Sequence, residues 1–223
     1  MSANITEWFP DVFIEVGDTQ CPPSKVKKAI VLSLREFCKK TLLWQKDLDS
    51  ISIIDNSQEY SLSSTDGDII SVCNVLYKQD SLASDQFTRL TPTSKKYEDE
   101  NSPGNWKYQT SVSPNRFYIE NDKKINLVPI PTEASTDGLL VSVFLQPFIT
   151  ATTVENFLYV DHQELITLGA VSKILSEEGT PWTNVEAGFR KKALFSSQCD
   201  NVSGIKTTGY TNRPLRVRFN RMV

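Results

Sequence analysis

An amphipathic helical pattern near the amino end constrains the fold most, because its apolar face has no helical partner nearby in the chain. Within residues 24–44, six positions recur at steps of three and four: Val26, Ile30, Leu34, Phe37, Thr41 and Trp44. This spacing places them on one face of an α-helix. The next helical patterns begin only after Pro147. Since such a face must be buried against another element, we expect the early and late helices to pack together.

The later helical patterns support this arrangement. Residues 160–176 carry apolar side chains around most of the helix circumference, which predicts a helix packed on more than one side. Gly169 in its interior costs about 1 kcal/mol relative to alanine and indicates a close helix crossing. Residues 183–186 match a capping box, with Thr183 and Glu186 as its two capping side chains. They predict a further helix that ends near Phe195.

The segment between the helices has the pattern of a β-rich domain. Short β-branched or alternating runs are separated by turn residues, and predict strands at residues 51–54, 59–62, 69–77, 117–120, 124–128 and 139–146. Residues 117–128 form the clearest hairpin. Residues 79–115 are long and polar, and predict a loop or arm larger than compact domains normally contain.

Together these patterns predict an α+β fold: a helical bundle with an inserted antiparallel β-rich domain and an extended C-terminal tail. The bundle is assigned to residues 1–46 and 151–200, and the inserted domain to residues 47–150, with its long loop at 79–115. The tail is assigned to residues 201–223. A chain of 223 residues is long enough to bury a core without metal or disulfide support.

Composition excludes several classes of protein. The hydrophobic and charged fractions, 39% and 23%, are those of ordinary globular chains. The longest apolar run, near residues 139–145, is about six or seven residues, against roughly 20 for a membrane span. The amino end lacks the basic start and apolar stretch of a secretory signal. We therefore expect no membrane association and a cytoplasmic site of synthesis and assembly.

The sequence contains few of the residues and motifs that form catalytic, phosphate-binding or metal-binding sites. His162 is the single histidine, and the nine glycines form no phosphate-binding loop. Paired acids such as Asp66 and Asp68 have the chemistry to ligate Mg²⁺, but they lie in predicted turns or at helix ends, where solvated carboxylates are common. The four cysteines lie far apart and are expected to be reduced and mostly buried. We expect no catalytic residue, metal or cofactor, and hence no enzyme; a Mg²⁺-dependent nuclease is the least favoured alternative.

Charge is distributed unevenly along the chain. The net charge is −3, yet residues 201–223 contain five basic residues and no acid. Residues 214–221 alternate between apolar and basic side chains, a period that predicts a strand. Such a strand can add to a neighbouring subunit or to the chain's own β-rich domain. We favour docking on another subunit, through Leu215, Arg216, Val217, Arg218, Phe219 and Arg221.

The four tryptophans are candidates for core or interface anchors. Trp44 and Trp182 are expected in the core. Trp8 and Trp106 lie in segments with weak local structure, and are possible subunit contacts.

An ordered series of short motifs spans most of the chain. It comprises Phe9-Pro10-Asp11, residues 35–41 followed by Trp44, Glu59-Tyr60-Ser61-Leu62, Leu127-Val128-Pro129-Ile130-Pro131, and Gly169-Ala170 followed by Pro181-Trp182 and Ala187. The series resembles the head-to-tail adaptor, or connector, proteins of tailed bacteriophages, in particular those of short-tailed phages. The resemblance implies a helical bundle with an inserted β-rich domain, and a homo-oligomeric ring, a dodecamer, beneath the portal.

The resemblance also implies a function without an active site. A structural virion protein of this family lies between the portal protein and the tail or nozzle protein, and DNA passes through its channel without sequence-specific binding. The expected location is the head–tail junction of the virion, after assembly in the host cytoplasm. An acidic body suits this role, because a lumen that repels phosphate lets DNA slide. A tail-tube or nozzle subunit, and a nucleic-acid-binding module that uses the basic tail, are the alternatives.

Overall fold

A computed structural model describes residues 2–17, 21–78, 87–101, 104–120 and 123–207, with only the backbone described for residues 205–207. The fold is mixed α+β, and its sheets are mainly antiparallel. The chain divides into two compact units. The first unit comprises Met1–Leu43 and Gln146–Val223, and the second comprises Trp44–Leu145.

The helices of the described residues are α1 (Phe9–Val16), α2 (Pro23–Thr41), α3 (Lys95–Asn101), α4 (Asn156–Val160), α5 (Gln163–Leu175) and α6 (Val185–Thr207). The strands are β1 (Ser2–Asn4), β2 (Gln45–Asp47), β3 (Ile51–Ile53), β4 (Glu59–Ser61), β5 (Asp68–Lys78), β6 (Phe87–Arg89), β7 (Thr91–Pro92), β8 (Thr110–Ser111), β9 (Arg116–Ile119), β10 (Lys124–Val128), β11 (Ile130–Pro131), β12 (Ser135–Gln146) and β13 (Thr153–Glu155).

Helix α2 confirms the amphipathic pattern from which the fold was predicted. Its buried face includes Val26, Ile30, Leu34, Phe37 and Thr41. Pro23 suits the start of the helix, where no backbone donor is lost. The helix ends at Thr41 because Leu42 is left-handed, with φ 50°. The predicted end at Trp44 is therefore wrong, although that side chain is buried.

Helix α5 lies against α1, α2 and α6, as its broad apolar pattern predicted. Gly169 faces Ser33 of α2 and Phe195 of α6. A Cβ atom there would lie 2.2 Å from Ser33 Oγ and 2.8 Å from Phe195 Cε2, so the crossing requires a residue without a side chain. The predicted start at residue 160 is wrong, because α4 and α5 are separate and His162 is the residue before α5.

Helix α6 differs from its prediction at both ends. Asn184 caps it, because Asn184 Oδ1 accepts a hydrogen bond from Ala187 N at 3.1 Å. Thr183 Oγ1 instead donates to Glu177 O at 2.5 Å. The helix continues past Phe195 to Thr207. Residues 201–207 are therefore helical and do not belong to an extended tail, and residues 208–223 lie outside the described part.

Helix α1 was missed. Its eight residues follow a 3₁₀ turn, Ile5–Trp8, which Asn4 and Glu7 cap reciprocally. The capping box and Pro10 in the first helical turn are recognisable in the sequence. The helix is too short for its apolar period to be distinctive.

The second unit contains a four-stranded sheet, β4-β10-β9-β7, and a larger sheet, β2-β12-β5-β6, with β3 also paired to β12. The predicted β9–β10 hairpin is confirmed, with Asn126 opposite Tyr118. Thr136, Asp137 and Gly138 are of residue types that favour turns, but they lie inside β12. There the register shifts between Ser135 and Leu139, and Asp137 has φ 53°; the turn residues thus produce a bulge.

The predicted loop at residues 79–115 is wrong for the residues that the structure describes there. They form β6, β7, α3, a 3₁₀ turn and β8. Glu98 on α3 is buried, and both of its carboxylate oxygens accept from Arg116 Nη1 at 2.8 Å. Thr93 Oγ1 also donates to Glu98 at 2.8 Å. These bonds join α3 to β9, so the segment is packed into the second unit.

Candidate interaction site

The predicted docking residues Leu215, Arg216, Val217, Arg218, Phe219 and Arg221 all lie outside the described residues. The two predicted tryptophan contacts are within them. Trp8 is fully buried and packs edge-on against Tyr159, with ring centroids 4.7 Å apart. Trp106 is also buried, and its Nε1 donates to Asp99 Oδ1 at 2.8 Å. Neither indole offers an exposed surface to another subunit.

The other two tryptophans were expected in the core. Trp44 is buried, which confirms its prediction. Trp182 is only half-buried, and Lys25 Nζ lies 5.3 Å from the centre of its ring.

His162 lies at the start of α5, with its ring 4.8 Å from that of Phe37. Burial lowers the pKa of His162, and the neighbouring charge of Asp161 only partly opposes this effect. The imidazole is therefore neutral at pH 7, and it packs as a half-buried aromatic ring.

Two buried cysteines have thiols that resist ionisation. Burial raises the pKa of Cys38 to about 12 and that of Cys199 to about 11. Since the thiolate is the reactive form, these two side chains behave as small apolar groups. Within the described ranges the cysteines are unbridged, and Cys73 is exposed.

Among the described residues, no group of three or more histidine, cysteine or acidic side chains is placed to hold a metal ion. Asp66, from the acid pair considered above, forms an ion pair with Lys46. In the same part of the chain, no helix is long and apolar enough to cross a membrane.

A cleft on the first unit consists of two adjoining hollows along α5. One hollow of about 540 Å³ lies along α5, between α1 and α6. A second hollow of about 490 Å³ adjoins it at the amino end of α5 and shares Gln163, Glu164 and Gln198 with it. We call the two hollows together the α5 cleft. Its lining residues are Asp11, Glu15, Val160, Asp161, His162, Gln163, Glu164, Leu165, Thr167, Leu168, Leu194, Gln198, Asn201 and Val202.

The α5 cleft is acidic. Asp11 and Glu15 lie one turn apart on α1, and each already has a partner: Gln163 Nε2 donates to Asp11 Oδ2 at 2.5 Å, and Lys191 pairs with Glu15. Asp161 and Glu164 have no basic partner within ion-pair distance among the described residues. Four carboxylates and one lysine therefore leave the cleft with net negative charge.

The cleft also contains an unsatisfied polar atom and exposed apolar groups. Thr167 is 7% exposed, and its Oγ1 has no hydrogen-bond partner in the described structure. Leaving a buried hydroxyl unpaired costs about 1–3 kcal/mol. Leu194 and Val160, by contrast, are 54% and 65% exposed. The cleft therefore offers negative charge and apolar contact area to an occupant, while the Thr167 hydroxyl lies buried beneath its surface.

Sequence reasoning missed this cleft, because its residues come from three helices and only packing brings them together. The one signal available in the sequence was the Asp11 and Glu15 pair at helical spacing, on a helix that was itself missed.

No protein-family model matches this chain, and no curated protein matches it at a significant level.

Proposed function

We propose that this chain is a structural virion protein, a head-to-tail adaptor that forms a twelvefold ring between the portal and the tail or nozzle. The observation that carries the proposal is the division of the chain. One unit is built from two separated segments, and the other is formed by the residues between them. This is the arrangement that the resemblance to phage adaptors implies.

The finer fold within this proposal is a helical bundle with an inserted β-rich domain and a C-terminal tail. Helices α1, α2 and α6 all contact α5, which supports a bundle. Leu145 N donates to Trp44 O at 2.8 Å, so the intervening segment starts and ends at neighbouring positions. This proximity is what an insertion requires.

Exposed apolar side chains on the first unit support a role in assembly. Ile14, Ile149, Val160, Phe189 and Leu194 are each more than half exposed. Apolar groups of this kind are favourable at subunit contacts, where they are removed from water. In the ring, we propose that they contact neighbouring copies or the portal.

The chain's charge suits a DNA channel. It carries 27 acidic residues against 24 basic ones, and a lumen lined by carboxylates repels the phosphate backbone. In this proposal the protein performs no catalysis, needs no cofactor and has no membrane partner. Its place is the head–tail junction of the virion, after assembly in the host cytoplasm.

The test is to mix the purified protein with portal rings from the same particle, and to image the product by electron microscopy. Extra density with cyclic symmetry on one face of the portal is expected. Phe189→Ser with Val160→Ser should weaken attachment, while the matched surface change Lys192→Ser should not. A folded monomer that never binds portal rings would contradict the proposal.

A nucleic-acid-binding module is the second candidate, and the basic residues between Lys206 and Arg221 favour it. Binding by these residues would shift duplex DNA in a gel and weaken steeply with salt. A tail-tube or nozzle subunit would instead form rings or tubes that attach without contacting the portal, and the same images distinguish it.

A further inference from the structure

The α5 cleft and the C-terminal segment, residues 208–223, have complementary chemistry. The segment contains Arg213, Arg216, Arg218 and Arg221 and no acidic residue. The cleft presents four carboxylates, of which Asp161 and Glu164 have no basic partner among the described residues. Arginine binds a carboxylate through two parallel hydrogen bonds, which is among the stronger polar contacts in proteins.

The segment and the cleft also both carry apolar side chains that can pack together. Leu215, Val217 and Phe219 alternate with the arginines, and Leu194 and Val160 are exposed in the cleft. Both the cleft and the segment therefore combine charge with apolar surface. One occupant would therefore satisfy both the charge and the exposed apolar area of the cleft.

Chain length permits the segment to reach its own cleft. Helix α6 lines the cleft with Leu194, Gln198, Asn201 and Val202 before it ends at Thr207. At 1.5 Å per residue, the distance from Leu194 to Thr207 along the helix is about 20 Å. The sixteen residues after Thr207 span at most roughly 55 Å. The residues after the helix are therefore enough to run back along the cleft.

We infer that, in the free subunit, the α5 cleft binds the C-terminal segment of the same chain. Binding within one chain is favoured because a short connection holds the segment at an effective concentration in the millimolar range. Any partner that uses residues 215–221 must then first displace them from the cleft. The inference does not depend on the proposed function, since the cleft and the segment belong to the same molecule whatever the assembly.

The direct test is photo-crosslinking in the full-length protein, with Phe219 replaced by p-benzoylphenylalanine. We expect crosslinks to residues 11–15, 160–168 and 194–202, found by mass spectrometry of the digested protein. Mixing chains of normal and heavy isotope composition shows whether a crosslink joins two chains. Crosslinks outside the cleft, or crosslinks that join two different chains, would overturn the inference.

A charge variant makes the test specific. Asp161→Asn with Glu164→Gln should reduce the crosslink yield by about fivefold or more, because the two carboxylates that bind arginines of the segment lose their negative charge. The matched control, Asp49→Asn with Glu178→Gln, removes two exposed carboxylates elsewhere and should leave the yield unchanged. Equal yields from the two variants would show that charge complementarity does not hold the segment. If crosslinking fails while portal rings still bind the protein, only this inference falls.

Discussion

At the scale of single residues, Gly169 shows how packing can oppose intrinsic preference. A helix favours alanine over glycine by about 1 kcal/mol, yet Gly169 is where α5 meets Ser33 and Phe195. Ser33 is itself held in place, because its Oγ donates to Ile166 O at 2.9 Å. Rotating Ser33 Oγ away would break this hydrogen bond, and the Phe195 ring is itself buried.

We predict that Gly169→Ala lowers the free energy of unfolding by about 1–2 kcal/mol, since the overpacking cost exceeds the gain in helix propensity. Gly204 is the matched control: it also lies within a helix, but nothing lies within 4 Å of an added Cβ. Gly204→Ala should raise stability by up to about 1 kcal/mol. Urea unfolding of both variants checks this, and the same sign for both would contradict it.

His162 makes a second residue-scale prediction, about pH. Its pKa lies below the ordinary 6.5 in the folded protein, so the unfolded chain binds a proton more readily than the folded one. The stability that this difference provides is present above pH 6.5, and is lost as the pH falls through the folded-state pKa. The His162→Gln variant should therefore lose less stability than the wild type between pH 7.5 and pH 5. Urea unfolding at both pH values measures the difference; parallel losses would be evidence against it.

At the scale of elements, a buried ion pair holds α3 in the second unit. Glu98 has no exposed surface and accepts from Arg116 and Thr93. Removing one partner of such a pair leaves the other without its counter-charge, at a cost of several kcal/mol when both are buried. The side chain of Arg116 is 30% exposed, so water recovers part of that cost.

Glu98→Gln should therefore destabilise the protein by about 2–3 kcal/mol. Glu100→Gln is the control on the same helix. Glu100 pairs with Lys96 at 3.8 Å and is largely exposed, so its loss should cost less than about 0.5 kcal/mol. Thermal or urea unfolding compares the two; similar effects would show that the Glu98 pair does not anchor α3.

At the scale of the whole molecule, the residues of the second unit form one continuous stretch of sequence between the two segments of the first unit. Because Leu145 N and Trp44 O are hydrogen-bonded, a short Gly-Ser linker is long enough to replace residues 44–145. We predict that Leu43 joined in this way to Gln146 folds with the helix content of α1, α2, α4, α5 and α6, and unfolds cooperatively. Circular dichroism and amide NMR dispersion measure both properties. A shortened chain without dispersed amide signals would show that the first unit needs the second to fold.

The sequence alone was sufficient to predict those helices and strands in which apolar side chains recur with a clear helical or strand period. The buried face of α2 and the strands β9 and β10 follow from side-chain spacing within a few residues, and each appears where the spacing indicates. The close crossing at Gly169 was also predictable, because a glycine inside an apolar helix is costly unless packing requires it.

Tertiary structure decided the rest. Residues 87–101 and 104–115 look polar and loop-like along the sequence, but the pairing of Glu98 with Arg116 and the burial of Trp106 order them. The turn-type residues 136–138 form a bulge within β12, because β12 pairs with β3 on both sides of them, at Ser135 and at Leu139. The α5 cleft exists only because α1, α5 and α6 are assembled side by side, and no local pattern encodes which carboxylates such packing brings together.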